Sequence, residues 1–600
     1  MKRSAQDHQQ LPRRDFLRKA AVGTGAAGAL AAFGASDTQA VGAHWDHESD
    51  VVVIGAGATG LPAAIQARQG GASVILVEAN FDVGGHACLS SGNVALGGGT
   101  SKQRKAGIAD SPDILFADLT DWSVVEPNGF PDYRFNDREI IRAFADHSAP
   151  TFEWLVEQGV IFSDIPPDNN GATETGNSAN RENHAAAMAW PQMQTGVAVP
   201  VERQATTSTG IGLIRPLEVA ARKAGVQILL KHRMTGLVRE QPASGRVVGI
   251  TVTNEGKPLR IRARRGVIIG TGGGSSNVNF RRIFDPRLTE EYNGVAGEPY
   301  TSQDASGELA AMAIGASLWG AYNQTGEFGI HLSKAGLIGC QYGYGVLQWM
   351  PGSPVFHLAR ASGLRVKDFQ NVILVNQIGR RFYDETKGQF TANHYNSINP
   401  YTQGSYLNVT NAKYAPSAFL DAALAGTGES VNGGGPIWAI FDADAVKREG
   451  WIPEPPNVDI RAGLFFSADT IEELAARIVN TYQRKPMPPA ALRESVDKYN
   501  SHVDAGNDPD FGKPTPKYKI QTAPFYAAWS TPVVHDARVG LRINAKCQVV
   551  DLQGQVIPGL YCGGESAGGF SMHGLARCVV QGRIAGENAA AEVPGDGAKG

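Results

Sequence analysis

The sequence predicts an α/β fold built around a Rossmann-like dinucleotide-binding domain, and three observations carry that reading. An apolar run at Val51–Ile54 leads into Gly55-x-Gly57-x-x-Gly60 and a small-residue, helix-like stretch. A second apolar run ends at Glu78, eighteen residues after Gly60. Two more glycine-rich strand ends, RRGVIIGTGGGSSN at 264–277 and IPGLYCGGESAGG at 557–569, lie far downstream.

Each part of the first segment has a physical task. Gly55 permits a tight turn, Gly57 lets backbone approach a pyrophosphate, and Gly60 lets helix pack on strand. The helix that opens at Thr59 offers unpaired N–H groups to phosphate. Glu78, at the end of the second strand, can accept both ribose hydroxyls. GGHACLSSGN (84–93) follows, and Gly84, Gly85, His86, Ser91 and Gly92 are its candidate cofactor contacts. Gly272 and Gly273 form a second backbone wall, Asp304 stands in QDASGELAAMAIGA, and Gly564 and Glu565 end the late strand. Val579 and Val580, at the start of a helix-like segment running into GRIAGENAA, are with Thr59, Gly272, Gly273, Asp304, Gly564 and Glu565 further candidate cofactor contacts. Glycine-rich segments spread this widely suit one long cofactor enclosed by distant parts of the chain, FAD rather than a nicotinamide nucleotide.

Composition narrows the class. Six hundred residues suggest two or three core-forming units, and 72 glycines with 19% charged residues read as a glycine-rich enzyme. The net charge of −3 and the absence of a basic run in the body point away from nucleic acid. Residues 1–40 read as a signal peptide, with a basic stretch at Arg13-Arg14, an Ala/Gly-rich apolar segment and a small-residue end near Ala40. RRDFLRK resembles the twin-arginine export signal, which implies passage through that machinery, already folded, to the periplasm. Loss of its six basic and three acidic residues would take the net charge from −3 to about −6. No later apolar run is long enough to predict stable membrane insertion. The cysteines at 88, 340, 547, 562 and 578 form no C-x-x-C, so no metal cluster or covalent haem is expected, and scattered disulfides are a weak expectation.

From about residue 48 to 590 the chain resembles the fumarate reductase/succinate dehydrogenase flavoprotein family, with soluble flavocytochrome-type fumarate reductases and 3-ketosteroid dehydrogenases among its relatives. GAGATG with Glu78, GGHACLSSGN, GVIIGTGGG, QDASGELAAMAIGA, NQIGRRFYDE and IPGLYCGGESAGG carry the resemblance. It implies a glutathione-reductase-like FAD domain in two chain segments, 48–325 and 531–595, with an inserted α+β cap at 326–530. The segment 101–205 is long for the family, and IPPDNNGATETGNSANREN reads as surface loop. DTIEELAARI, with Thr470-x-x-Glu473, reads as a cap helix opened by a capping box.

The family's chemistry is a hydride exchanged with FAD and a proton exchanged across a carbon–carbon bond. Here the sequence departs from the dicarboxylate pattern. Gln389 stands where the resemblance places the proton-donating arginine, and Arg381 matches a position more in keeping with structure than chemistry. Glu327 replaces one carboxylate-binding histidine. TPVVHDARVGLRIN keeps His535 without its neighbouring histidine, and His573 and Arg577 lie in a shortened arginine loop. Fumarate is therefore not the expected substrate. Tyr342, Tyr344, Trp349, Tyr383, Tyr395, Tyr401 and Tyr406 are candidates for an aromatic pocket or for packing the cap. His535, Arg577, Tyr383, Tyr395 and His573 are the candidate catalytic residues. Arg577 can equally be the first turn of the last helix.

His86 has two readings. Six residues before Gly92, it keeps the register of the histidine that the succinate dehydrogenase type bonds to its flavin, though GGHA differs from the S-H-T setting there. Alternatively it only hydrogen-bonds near the pyrophosphate. The expected function is a periplasmic FAD oxidoreductase of a C=C or CH–CH bond next to a carbonyl in a small organic, cyclic or aromatic compound. A separate cytochrome, quinone or oxygen would be its electron partner. An oxidase or alcohol dehydrogenase on the same fold, and an exported flavin electron carrier, are the alternatives.

Overall fold

In the computed structural model the described residues are 44–120, 136–168, 178–188, 190, 195–197, 209–292, 297–320, 330–344, 347–386, 423, 435–537, 539–570, 572 and 574–594. The leader reading and the twin-arginine motif at 13–19 lie outside them.

The chain opens with β1 (His47–Ile54), α1 (Gly60–Gln69) and β2 (Val74–Val77). Val51 to Ile54 and all of β2 are buried, as expected of parallel strands covered on both faces. Further on come α2 (Arg138–Glu157), α3 (Gly210–Lys223), β3 (Gln227–Leu229), β4 (His232–Gln241), β5 (Ser244–Asn254), β6 (Lys257–Ile269) and α4 (Ser306–Met312). The span 101–205, expected to be mostly loop, holds α2 and two shorter helices at Ser101–Lys105 and Pro112–Thr120. Helical spacing of Ile140, Ile141, Phe144, Ala145, Phe152 and Leu155 puts α2 against the core, and Asp137 caps it by accepting from the Glu139 and Ile140 N–H groups. Of IPPDNNGATETGNSANREN, residues 169–177 lie outside the described residues. Its end is no free loop, because buried Arg181 pairs with Asp110 at 2.9 Å and Asp118 at 2.5 Å.

A second sheet falls between residues 373 and 529. It comprises β7 (Ile373–Val375), β8 (Trp438–Asp442), β9 (Phe465–Ala468) and, after α5 (Ile471–Arg477) and α6 (Pro489–Ala505), β10 (Phe525–Trp529). The order is β7–β8–β10–β9, all antiparallel. Ile373, Val375, Trp438 and Ile440 join Leu474, Leu492 and Val496 of α5 and α6 in one core, while Leu374, Ala439 and Phe441 join another. That alternation is the period of a strand covered on both faces. Thr470 does accept from the Glu473 N–H, but the reciprocal half of the expected capping box is not formed. A complete box closes instead between Thr100 and Gln103.

The chain then reaches β11 (Gln548–Val550), β12 (Val556–Cys562) and α7 (Leu575–Ala591). The main sheet runs β11–β12–β6–β1–β2–β3, with β4 and β5 attached through β6. β12, β6, β1, β2 and β3 are parallel to one another, so residues near 54, 77, 269 and 562 end on the same edge. α7 crosses α1 closely. A Cβ on Gly582 or Gly586 would sit 2.3 Å from the carbonyl oxygen of Thr59 or Ala63, respectively. The late chain segment is thereby fixed beside the first glycine turn. Among the described residues no helix is long and apolar enough to cross a membrane.

Candidate active site

The carboxyl edge of this sheet is where open α/β folds bind ligands. Gly55 has φ +94°, and a Cβ there would lie 2.3 Å from the Gly270 carbonyl oxygen. A Cβ on Gly60 would lie 1.7 Å from the Gly55 oxygen. Both positions exclude any side chain. Gly57 differs: the nearest atom to its Cβ would be the Gly84 oxygen at 3.7 Å, leaving room above the turn. α1 has neither a side-chain cap at Thr59 nor an acid in its first turn, so its N-terminus suits an anion. Glu78 Oε2 accepts the Ala56 N–H at 2.7 Å and Oε1 the Asn80 N–H at 2.8 Å. Burial pushes its pKa up against these N–H groups. The carboxylate is thus oriented by backbone, with lone pairs left for sugar hydroxyls.

The GGHACLSSGN loop is pinned over this turn by the Gly84 N–H, which donates to the Ala56 oxygen at 2.9 Å. Gly84, at φ +113°, turns the chain into the short helix Gly85–Leu89 that carries His86. Ser91 and Gly92 follow, and Gly92 packs on the Thr209 backbone. His86 Nδ1 lies 3.6 Å from Glu565 Oε1. Gln303 Nε2 donates both to Glu565 Oε2 and to the Gly272 carbonyl. Ser566 Oγ accepts the Gly273 N–H at 3.1 Å, and the Gly564 N–H donates to Gln581 Oε1 at 2.8 Å. A Cβ on Gly564 would meet Thr59 Oγ1. Four chain-distant segments therefore converge at His86, Gly272, Gln303 and Glu565. Gln303 and Ser566 escaped sequence reading although each adjoins a residue that was singled out.

The other sequence candidates fare differently. Asp304 pairs with Arg233 at 2.7 Å and accepts the Ser306 N–H. Val579 and Val580 are fully buried in the main core. Arg577 sits in the first turn of α7 and donates to the Phe570 oxygen at 2.8 Å and the Ala537 oxygen at 3.2 Å. Its guanidinium ties the helix to the loop at Phe570 and to the end of the strand Val533–Ala537. Tyr383 has 0% exposure within the core on one face of the second sheet. His535 lies on the strand Val533–Ala537, at a bulge opposite His331 and Leu332, and its side chain lies outside the described residues. Tyr395, His573, Gln389, Glu327, Tyr401 and Tyr406 lie wholly outside them. Tyr342 and Tyr344 are half-buried against the main core, and buried Trp349 donates from Nε1 to the Glu298 oxygen at 3.0 Å.

The five cysteines are free and buried, so the weak expectation of disulfides is not met. His502, Asp508 and Asp510 approach one another closely, but Arg381 and Lys498 pair with the two carboxylates at 2.8 Å each.

The FAD binding domain family matches residues 50–578 of the chain. The acrylate reductase flavoprotein subunit of Shewanella woodyi is 27% identical, covering 96% of this chain and 97% of its own. The 3-oxosteroid 1-dehydrogenase of Mycolicibacterium smegmatis is 26% identical over 86% of this chain and 92% of its own. A solved open conformation of a flavocytochrome c3 fumarate reductase shares the fold with TM-score 0.59 at 23% identity, covering 98% of this chain and 82% of that one.

Proposed function

We propose, from the premise that this chain belongs to the FAD binding domain family and is an FAD-dependent oxidoreductase, that it reduces or introduces a carbon–carbon double bond next to a carbonyl in a small cyclic or aromatic compound. The observation that supports this most is the junction at His86, Gln303 and Glu565 with the aromatic segment of Tyr342 and Trp349 close by. The relatives add to it, since by name one reduces acrylate and another dehydrogenates a 3-oxosteroid.

The residues present fit FAD. The room above Gly57 and the uncapped start of α1 accept a pyrophosphate, Glu78 holds ribose hydroxyls, and Gly85, Gly272, Gly273 and Gly564 give close backbone walls. FAD, when bound, supplies a two-electron acceptor or donor of hydride. His86 is the side chain we place beside the flavin. Flavin fluorescence of the acid-precipitated protein after denaturing electrophoresis separates a covalent from a non-covalent hold there. Arg577 acts by fixing the α7 start against Ala537 and Phe570, and His535 is the substrate-orienting candidate. Gln389, at the place of the proton-donating arginine, and Glu327, at that of a carboxylate-binding histidine, weigh against fumarate. Export by the twin-arginine pathway to the periplasm, resting on RRDFLRK, and a separate electron partner complete the reading.

Anaerobic spectroscopy of the FAD-loaded protein tests it. Bleaching by a saturated cyclic ketone, or reoxidation of reduced flavin by cyclohexenone, is the expected result. Response to oxygen or an alcohol alone would move the assignment to an oxidase or alcohol dehydrogenase. Response only to a redox protein would make it an electron carrier.

A further inference from the structure

Glu298 occupies the seam between the nucleotide-binding loops and the aromatic segment of the cap. Its neighbour Gly297 packs on His86: a Cβ there would come within 3.4 Å of both the Cα and the Cδ2 of His86. Trp349 holds the Glu298 carbonyl at 3.0 Å. The Glu298 carboxyl faces the Ser276 hydroxyl, in the glycine-rich loop after β6, and the charges of Arg281 and Asp304. From the cap side it faces the Tyr342 phenol. The Arg281 guanidinium is committed to the backbone oxygens of Ser275, Leu288, Thr289 and Tyr292. The Glu298 residue keeps partial exposure, although its carboxyl group is enclosed by these neighbours.

We propose that Glu298 is the proton donor and acceptor of the reaction, the catalytic acid–base group facing the carbon that does not exchange hydride. This rests on the function proposed above. In the reducing direction one alkene carbon takes a hydride from reduced flavin and the other takes the Glu298 proton. The carboxyl O–H bond breaks, a C–H bond forms, the flavin is left oxidised, and the carboxylate regains its proton from water. In the dehydrogenating direction the carboxylate removes the proton next to the carbonyl as the hydride passes to FAD.

The chemistry of the neighbours favours this group over the tyrosines. Burial pushes Glu298 up to about 7, the Ser276 hydroxyl and Arg281 pulling against it and Asp304 adding to it. Both protonation states are then populated near neutral pH, as a general acid–base needs. Burial and the Glu298 charge push the Tyr342 phenol upward, making it the weaker donor, and Tyr383 is enclosed in the cap core.

The test compares wild type, Glu298→Gln and Glu298→Asp as FAD-loaded proteins, each first checked for flavin content and thermal unfolding. Reoxidation of dithionite-reduced flavin by ferricyanide moves electrons without a carbon acid and is expected to be unchanged in all three. Reoxidation by cyclohexenone is expected to fall by about a hundredfold or more in Glu298→Gln and to recover partly in Glu298→Asp. The wild-type enone rate is expected to fall as pH rises through about 7, and Glu298→Gln to lose that inflection. A flavin-loaded Glu298→Gln with the wild-type enone rate and inflection overturns the assignment alone. A wild type that reacts with neither enones nor saturated ketones overturns the function and the assignment together.

Discussion

Glu308 offers a test of how strongly the interior of the FAD domain resists charge. It lies on α4 and is fully buried. Burial pushes its carboxyl up from the usual 4.5 to about 8; its own N–H and the Ser566 hydroxyl oppose the rise, while Asp304 and Glu565 add to it. A carboxyl raised in the fold contributes its stability in full below its unfolded pKa and loses it as pH climbs toward the folded value. Between 4.5 and about 8 the folded chain keeps a proton that the unfolded chain has lost. Stability therefore falls by up to about 1.4 kcal/mol per pH unit across that window, and by about 5 kcal/mol over the whole of it. Glu308→Gln removes the ionisation while keeping the shape. Urea unfolding of both proteins in a series of buffers from about pH 5.5 to 8.5 should show the variant gaining about 3 kcal/mol on the wild type across the series. The absolute offset between them carries the separate effect of a buried amide, so the slope is the readout. A difference that stays flat with pH would refute the reasoning. Glu308→Met repeats the measurement if the amide prevents folding.

Three further outcomes follow from the geometry. Gly57→Ala meets nothing nearer than 3.7 Å, so its apo form should melt like wild type while FAD affinity, read by flavin fluorescence titration, falls by about tenfold or more; Gly60→Ala, whose Cβ would sit 1.7 Å from a carbonyl oxygen, should not yield folded protein. The five buried thiols, with Cys340 and Cys547 pushed by burial up to about 12 and Cys578 to about 11, should be silent to Ellman's reagent until denaturant exposes all five, and reductant should leave thermal unfolding unchanged. Thr470→Ala loses the cap on the Glu473 N–H and should lower stability by about 1 kcal/mol in chemical denaturation.

The nucleotide end was legible because its constraints are local. β1, the three glycines, α1, β2 and Glu78 lie within about thirty residues; Gly55 and Gly60 answer backbone clashes at Gly270 and inside the turn, while Gly57 leaves room above it. α2 was hidden for a different reason: the Asn-, Pro- and Gly-rich stretches beside it dominated the reading of 101–205, although its apolar spacing was present. The capping box at Thr470 was a correct start signal of which only the Thr470 half forms. Tyr383 and Arg577 read as chemistry in sequence; in the fold Tyr383 is enclosed in the core on one face of the second sheet and Arg577 donates to two carbonyl oxygens.

By itself the sequence determined the α/β class, the glycine turn after β1 and the acid that ends β2, since glycine spacing and apolar runs act through neighbours along the chain. Only the tertiary structure decided which polar groups meet. The Gln303 amide bridges Gly272 and Glu565 beside His86, and Glu298 comes to lie among Ser276, Arg281 and Tyr342. The acidity of a carboxyl is set by the solvent it loses and the charges it gains, and both come from residues that sequence spacing does not bring together.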